Sequence, residues 1–356
     1  MTRTAQSKAA QTVLVTGGAG FIGSAFARQA VRKGFRVITL DTLGYAANLR
    51  NLDSLKGANH RFVQGDIADS ALMGSLLEEE TPQAIVNFAA ETHVDRSIDD
   101  PSNFLRSNVD CFFRLLESVR SRAASGSQLR LLHISTDEVY GPVSSGAASE
   151  DAPFRPSSPY AASKAAADCL VRAYVRTYGA PIIVARCSNN YGPHQFPEKL
   201  IPLMIVRAVT GQSLPVYGDG LQEREWIFVD DCCSALLQIL ERGQVGREYN
   251  VGSGRTSSNR DTVARICQTL DEVRPRPSGR PYAGLIQHVT DRPGHDRRYA
   301  IDTQRTRSEI GWTPAVSFED GLRDTISWYL ENEPWWKQTL ASRYDGGRLG
   351  MSTRRA

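Results

Sequence analysis

Two short stretches carry side chains able to move protons. In SSPYAASKA, residues 157–165, Tyr160 and Lys164 lie four apart, so on a helix they share one face. Ser157 or Ser158 can cap that helix, with Pro159 in its first turn. A tyrosine with its ordinary pKa of about 10 is a poor base at neutral pH. An ammonium group nearby favours the phenolate and makes it able to take a hydroxyl proton. On an arbitrary helix the same pair is an exposed feature with no task, so its surroundings decide. In ISTDEVYG, residues 134–141, Asp137 and Glu138 follow an apolar run that reads as the end of a buried strand. Carboxylates there are costly to desolvate unless hydrogen-bonded, paired or used. Backbone hydrogen bonds or a surface ion pair would be the plain outcome. Held in different environments, the two could instead do acid and base work at one pH.

These groups need a scaffold, and the N-terminal third supplies its pattern. Thr12 to Val15 is a short β-branched strand, followed by glycines, a helix from about Ile22 to Arg32, a stop at Gly34 and a second strand, RVITLD. That is a βαβ unit of roughly the usual 30 residues. Strand-like runs HRFVQG, QAIVNFAA, LRLLHIS, PIIVARCS and REYNVGS then alternate with helix-like runs, including Ser70–Glu79, Phe104–Arg122 and Tyr160–Tyr178. Such alternation predicts an α/β fold: a Rossmann-type, doubly wound parallel sheet covered on both faces. After Asn190 the rhythm loosens. A helix through Thr210, a PVYGDG turn, the REWIFVDD segment and an irregular Pro/Arg/Gly-rich stretch at 271–296 read as a smaller, interleaved C-terminal lobe over the carboxyl end of the sheet. The expected division is a tail at 1–11, a dinucleotide-binding domain at 12–190 plus about 229–257, a substrate lobe at 191–228 plus about 258–342, and a flexible tail at 343–356.

The glycines sit where a dinucleotide would need them. TGGAGFIG contains Gly18-x-Gly20-x-x-Gly23, and Gly17 gives an alternative Gly17-x-x-Gly20-x-x-Gly23 frame. The backbone there can turn tightly and approach a pyrophosphate, which then meets a helix N-terminus. Alone the motif is weak, but here a strand precedes it, a helix follows, and Asp41 ends the next strand. Asp41 should accept from the adenosine ribose hydroxyls and repel the extra phosphate of NADP, which favours NAD. Asp66 is placed to reach the adenine.

Composition narrows the remaining choices. With 42 basic and 39 acidic residues the net charge is +3, too balanced to argue for nucleic acid. The apolar runs fall well short of the ~18 residues that span a bilayer, so no membrane is expected. The six cysteines form no CxxC pair and Cys232 adjoins Cys233, which favours reduced, partly buried thiols in a cytoplasmic protein over a metal site or disulfides. No metal is expected. His133 reads as packed and hydrogen-bonded, His93 as structural or a pocket wall, and His60 and His288 as surface groups.

TGGAGFIG together with YAASK resembles the extended short-chain dehydrogenase/reductase family. AAETHVDRSI, ISTDEVYG, SSPYAASKA, CSNNYGP, FPEKLIPL and DRPGHDRRYAID resemble one branch of it, the dTDP-glucose 4,6-dehydratases, from about Thr12 to the helix near residue 336. The resemblance implies a hydro-lyase. Tyr160 would deprotonate the C4 hydroxyl of the glucosyl ring while NAD takes the C4 hydride, with the hydroxyl of Thr136 on the substrate oxygen. Glu138 would remove the C5 proton, Asp137 would protonate the departing C6 hydroxyl, and the hydride would return to C6. The resemblance also implies a cofactor set of Gly17, Gly20, Phe21, Ile22, Asp41, Asn48, Asp66, Ile67, Ala89, Ala90, Asn108, Tyr160, Lys164 and Asn190. The sugar-nucleotide set would be Thr92, Asn189, Lys199, Leu200, Pro215, Tyr217, Arg224, Asn259, Arg292, His295 and Tyr299. Arg224 and Arg292 suit diphosphate oxygens through their forked donors, Asn259 stands at a helix start, Tyr217 can stack on the base and Tyr299 can close the site.

The chain departs from the branch at Gly44 and Ala47, at Glu225 where aspartate is usual, and at Arg186 where a neutral residue is common. These bear on how base and sugar are read and leave the chemistry intact. A dehydratase for a UDP- or CDP-linked hexose and a sugar-nucleotide 4-epimerase remain open, but an epimerase needs no Asp137–Glu138 pair. A non-catalytic NAD sensor on the same fold would need neither that pair nor the diphosphate set. The partner implied is a nucleotide sugar. Apolar surplus on the helices Phe104–Arg122 and Tyr160–Tyr178 also points to a homodimer through a four-helix interface.

Overall fold

The computed structural model describes residues 11–344 and 349; the expected tail at 1–11, save residue 11, and nearly all of the one at 343–356 lie outside the described residues. Seven parallel strands form the central sheet: β1 (Thr12–Thr16), β2 (Arg36–Asp41), β3 (His60–Gln64), β4 (Ala84–Asn87), β5 (Arg130–Thr136), β6 (Ile182–Cys187) and, late in the chain, β10 (Glu248–Val251). Their order is β10-β6-β5-β4-β1-β2-β3. The order reverses between β1 and β4, which opens a crevice at the carboxyl ends of the strands.

Period-two alternation assigns each strand residue to a face. Val13, Val15, Val37, Leu132, Ile134, Ile183 and Ala185 join the core under α1 (Phe21–Arg32) and α8 (Val229–Arg242). Leu14, Ile38, Leu40, Ile85, Leu131, Ile182 and Val184 join the opposite core. Helices α2 (Ser70–Glu79), α5 (Phe112–Ala124) and α6 (Pro159–Tyr178) cover that face through Met73, Leu76, Phe112, Leu115, Val119 and Val171.

The expected helix over Phe104–Arg122 is not continuous. After the short α3 (Val94–Asp99), α4 (Ser102–Leu105) leads into a π-helical turn, Arg106–Cys111, before α5 begins. The wider turn lets the buried Asn108 donate to the Glu91 carbonyl and Ser163 Oγ, both 2.9 Å, and accept from the Glu91 amide at 2.8 Å.

The smaller lobe has its own core. It contains β7 (Asn189–Tyr191), α7 (Leu200–Val209), β8 (Leu214–Tyr217), β9 (Glu223–Phe228), β11 (Thr256–Ser258), α9 (Asn259–Val273), β12 (Ile286–Val289), α10 (Phe318–Glu331) and α11 (Glu333–Arg343). Tyr191, Ile201, Met204, Trp226, Phe228, Ile266, Leu322, Tyr329, Trp335 and Trp336 fill it. Two expectations change. PVYGDG is a strand before it is a turn, and 271–296 is not wholly irregular, because β12 pairs in parallel with β8, Ile286 opposite Leu214 and Val289 opposite Tyr217. His60 is half-buried rather than on the surface, its Nε2 lying 3.0 Å from Thr39 Oγ1. His288 is exposed, and His133 is fully buried against Phe112 with its Nδ1 3.2 Å from Asn87 Nδ2.

Candidate active site

A cavity of about 630 Å³ runs from the carboxyl ends of β1, β2 and β5 into the smaller lobe. At one end the β1–α1 loop forms its wall. Gly17 has φ +67°, and a Cβ there would stand 2.7 Å from the Ala89 amide nitrogen; a Cβ on Gly23 would stand 2.3 Å from the Gly17 carbonyl. The loop thus closes on itself only with glycine at both positions. Helix α1 starts at Gly20 without a side-chain cap, which leaves its first amides turned to the cavity end. Asp41 closes β2 with Oδ2 accepting from Ala19 N at 3.0 Å and Oδ1 from Leu43 N at 2.8 Å. Phe21, Ile22, Asp66, Ile67, Ala89, Ala90 and Asn190 line the same region. A cradle that any Cβ would fill, a helix N-terminus and an acidic strand end together fit a dinucleotide. Asn48 and Asn108 are not on this wall. Asn48 caps the 3-10 turn that follows it, accepting from Arg50 N at 3.0 Å, and Asn108 braces the loop after β4 as described.

The proton-moving groups meet midway. Ser158 Oγ caps α6 by accepting from Ala161 N at 3.1 Å, Pro159 opens the helix, and Gly179 closes it in the left-handed region. Tyr160 and Lys164 then face the cavity, both buried. The Lys164 ammonium donates to the Ile134 carbonyl at 2.8 Å. Burial lowers its pKa to about 8, against the pull of Asp168 and Cys187. Lys164 by itself does not bring the Tyr160 phenol down. Burial raises the phenol, Glu138 and Asp137 raise it further, and a hydrogen bond with Thr136 opposes them.

Thr136 and Glu138 line the cavity and Asp137 does not. Asp137 is tucked behind the strand end, its Oδ1 accepting from Thr136 Oγ1 at 3.2 Å and its Oδ2 without a hydrogen bond. Burial raises both carboxyls, but unequally. Glu138 and Glu225 push Asp137 well up, while Arg292, Arg224 and Lys199 hold the rise of Glu138 in check. Both carboxyls are thus raised, Asp137 the further of the two.

The far end is cationic. Lys199 Nζ donates to the Thr92 carbonyl at 2.8 Å. Arg224 donates to the carbonyls of Glu223 and Asp296, at 2.8 and 3.1 Å, and lies 4.5 Å over the Tyr299 ring. His295 Nδ1 lies 2.7 Å from Asp291 Oδ1, and burial lowers its pKa to about 4. Asn189, Leu200, Pro215, Tyr217 and Asn259 complete the wall. Buried polar atoms of Asn189 (Oδ1), Asn190 (Oδ1), Asn259 (Oδ1) and Arg292 (Nε) have no hydrogen-bond partner among the described residues, as expected where a polar ligand completes the set.

Sequence reasoning missed several wall residues. Asp95 forms an ion pair with Arg292. Glu198 takes a hydrogen bond from Tyr45 at 2.7 Å and one from Arg96 at 3.0 Å. Glu198 lies inside the quoted FPEKLIPL, but no local spacing signals that Tyr45 and Arg96, from two distant segments, converge on it. No cluster of three or more His, Cys, Asp or Glu side chains able to hold a metal occurs among the described residues.

A doubly wound sheet with a glycine cradle, a Tyr–Lys helix and a cationic second lobe defines an extended short-chain dehydrogenase/reductase. A family model described as GDP-mannose 4,6 dehydratase matches residues 14–325. The chain is 52% identical over 348 residues to a dTDP-glucose 4,6-dehydratase of Xanthomonas campestris pv. campestris (strain B100), covering 96% of this chain and 99% of the relative. Among solved structures, the dTDP-glucose 4,6-dehydratase DesIV of Streptomyces venezuelae, with NAD and TYD bound, superposes with a TM-score of 0.86 at 43% identity, over 92% of this chain and all of that one. A Thermotoga maritima UDP-glucose 4-epimerase shares the fold at a TM-score of 0.80 but is 26% identical, over 91% of this chain and 100% of that one. The chain belongs to the dTDP-glucose 4,6-dehydratase family.

Proposed function

We propose that the protein is an NAD-dependent hydro-lyase that converts dTDP-D-glucose into dTDP-4-keto-6-deoxy-D-glucose. The observation that carries this reading is the Asp137–Glu138 pair beside Tyr160, two adjacent buried carboxyls raised to different extents by burial and by the charges around them. Gly17, Gly20 and Asp41 would hold NAD, which would supply a temporary hydride acceptor restored within each turnover. Tyr160 accepts the C4 hydroxyl proton, with Thr136 orienting that oxygen. Once C4 is a ketone the C5 proton is acidic, and the Glu138 carboxylate removes it. Asp137, carrying its proton, gives it to the departing C6 hydroxyl, which leaves as water; C6 then takes back the hydride removed from C4, and Glu138 returns a proton to C5. Because Asp137 sits behind the wall, with Thr136 between it and the cavity, protonating that hydroxyl requires its carboxyl to turn toward C6.

Arg224, Arg292 and Lys199 balance the diphosphate charge, Asn259 binds at the start of α9, and Tyr217 meets the base. A nucleotide sugar and NAD are then the partners. A homodimer is supported by Leu105, Phe113 and Tyr178, large apolar side chains left exposed on the adjoining α4, α5 and α6. A cytoplasmic setting suits six cysteines that are all free.

The deciding experiment supplies dTDP-, UDP- and CDP-glucose deuterated at C4. Deuterium recovered at C6 of the same molecule, fastest from the dTDP sugar and without net NAD consumption, is the expected result. A C4-epimerised hexose that keeps its C6 oxygen would overturn the assignment.

A further inference from the structure

Below the Tyr160–Lys164 pair lies a charged cluster that the dehydration does not consume. Tyr160, Lys164 and Asp168 follow one another at intervals of four on α6, so they stack on one helix face, and all three are buried. Asp168 is fully buried, as is Arg186 of β6, whose Nε donates to Asp168 Oδ2 at 2.7 Å. Arg186 Nη1 also donates to Tyr140 at 2.9 Å and to Glu248 at 2.8 Å.

A buried ion pair is poor evidence of added stability, since apolar residues of similar volume often serve as well. Its position suggests another task. The ammonium of Lys164, stripped of water, tends to lose its proton. The groups facing it are Asp168 and Tyr160 from α6, Cys187 and Arg186 from β6, and His133 and the Ile134 carbonyl from β5. Asp137 and Glu138 stand beyond Tyr160. Burial holds His133 neutral, with Lys164 and Arg186 acting in the same direction, and its Nε2 is 3.7 Å from Asp168 Oδ1. Among these groups Asp168 supplies the negative charge that favours the Lys164 ammonium. The charge-assisted bond from Arg186 fixes the Asp168 carboxyl in place on this helix face.

We propose that Asp168, anchored by its buried ion pair with Arg186, is a positioning residue that keeps Lys164 charged beneath Tyr160. The device acts through Lys164 and touches neither substrate nor cofactor. Its catalytic meaning rests on the dehydratase reading, but its electrostatic core does not.

The test uses the full chain labelled with [13Cε]lysine, which has six lysines, so the Lys164 signal is assignable by comparison with Lys164→Met. In the unaltered protein the signal should titrate near pH 8. In Asp168→Asn, where Arg186 keeps Glu248 and Tyr140, the midpoint should fall by at least about one pH unit, the usual effect of removing a nearby opposite charge. At a fixed pH near 8, kcat should fall with it while KM for the nucleotide sugar stays put. Arg186→Met should shift the midpoint the same way and Arg186→Lys should hold it. A folded Asp168→Asn with the Lys164 midpoint unmoved overturns the proposal. If that variant does not fold, Asp168→Ser, which removes the same charge alone, is read in the same way, and an unmoved midpoint there also overturns it. The NMR titration needs no substrate, so a protein that lacks dehydratase activity yet shows the shift sinks only the functional reading.

Discussion

Asp137 and Glu138 are neighbours in sequence with different charge environments, and that difference sets a pH profile. Elimination needs Glu138 ionised and Asp137 protonated. Burial raises Glu138 above its ordinary range, so the rate should fall as pH drops through that raised value, on the alkaline side of about 4.5. Burial and the Glu138 charge raise Asp137 much further, so the rate should fall again as pH climbs through its higher value. The expected profile of single-turnover water loss is a bell whose limbs belong to the pair. Glu138→Gln should lower kcat by about 10²–10⁴-fold while leaving NAD affinity intact, and Asp137→Asn should remove the Asp137 limb along with most of the elimination. Retention of both limbs in Asp137→Asn, or near-normal elimination in Glu138→Gln, would exclude these roles. The sequence places both carboxyls at a strand end. Their unequal environments depend on Arg292, Arg224, Lys199 and Glu225, which come from far along the chain, and no local pattern reveals that.

Helix α6 carries the chemistry and is also the element best marked in the sequence. Ser158, Pro159 and Gly179 bound it, and the observed helix is Pro159–Tyr178. The cap at its far end can be tested without touching the site. Gly179 adopts φ +63° with open space around its missing Cβ, so Gly179→Ala meets no clash and should cost only backbone strain, about 1 kcal/mol. Differential scanning calorimetry should show Tm lower by about 1–2 °C, with kcat unchanged. A loss of activity at unchanged Tm would mean that the helix end and the Tyr160 end are coupled more tightly than this geometry implies. Elements that depend on distant partners were harder to read. The β8 strand pairs with β12 across the intervening β9, α8 and α9, and each segment alone is short, with Pro215 in one and His288 in the other. The π-helical turn at Arg106–Cys111 exists because Asn108 reaches Glu91 and Ser163, a tertiary reason that helical periodicity does not show.

The cavity draws its walls from both lobes, and the chain passes between them repeatedly. Strand β7 follows β6 directly, α8 returns to pack on α1, and Asp231 of α8 accepts from the amides of Ala315 and Val316 at 3.0 and 2.8 Å on the approach to α10. Glu225 of β9 ties the same junction, accepting from Gly254 N at 2.8 Å and Ile301 N at 3.1 Å. The lobes should therefore unfold together, and a ligand in either half of the cavity should stabilise the whole molecule. A ligand at one hundred times its Kd adds about 2.7 kcal/mol. With an unfolding entropy near 2.1 cal/mol/K per residue, that becomes a rise of roughly 3–4 °C in Tm for a chain of this length. Stripping NAD should lower Tm by a similar step, and dTDP should raise it even in the stripped protein. Calorimetry distinguishes the outcomes directly. One transition that moves with either ligand supports a single cooperative unit, whereas two transitions, one following NAD and the other dTDP, would show that the junctions at Asp231 and Glu225 do not couple the lobes.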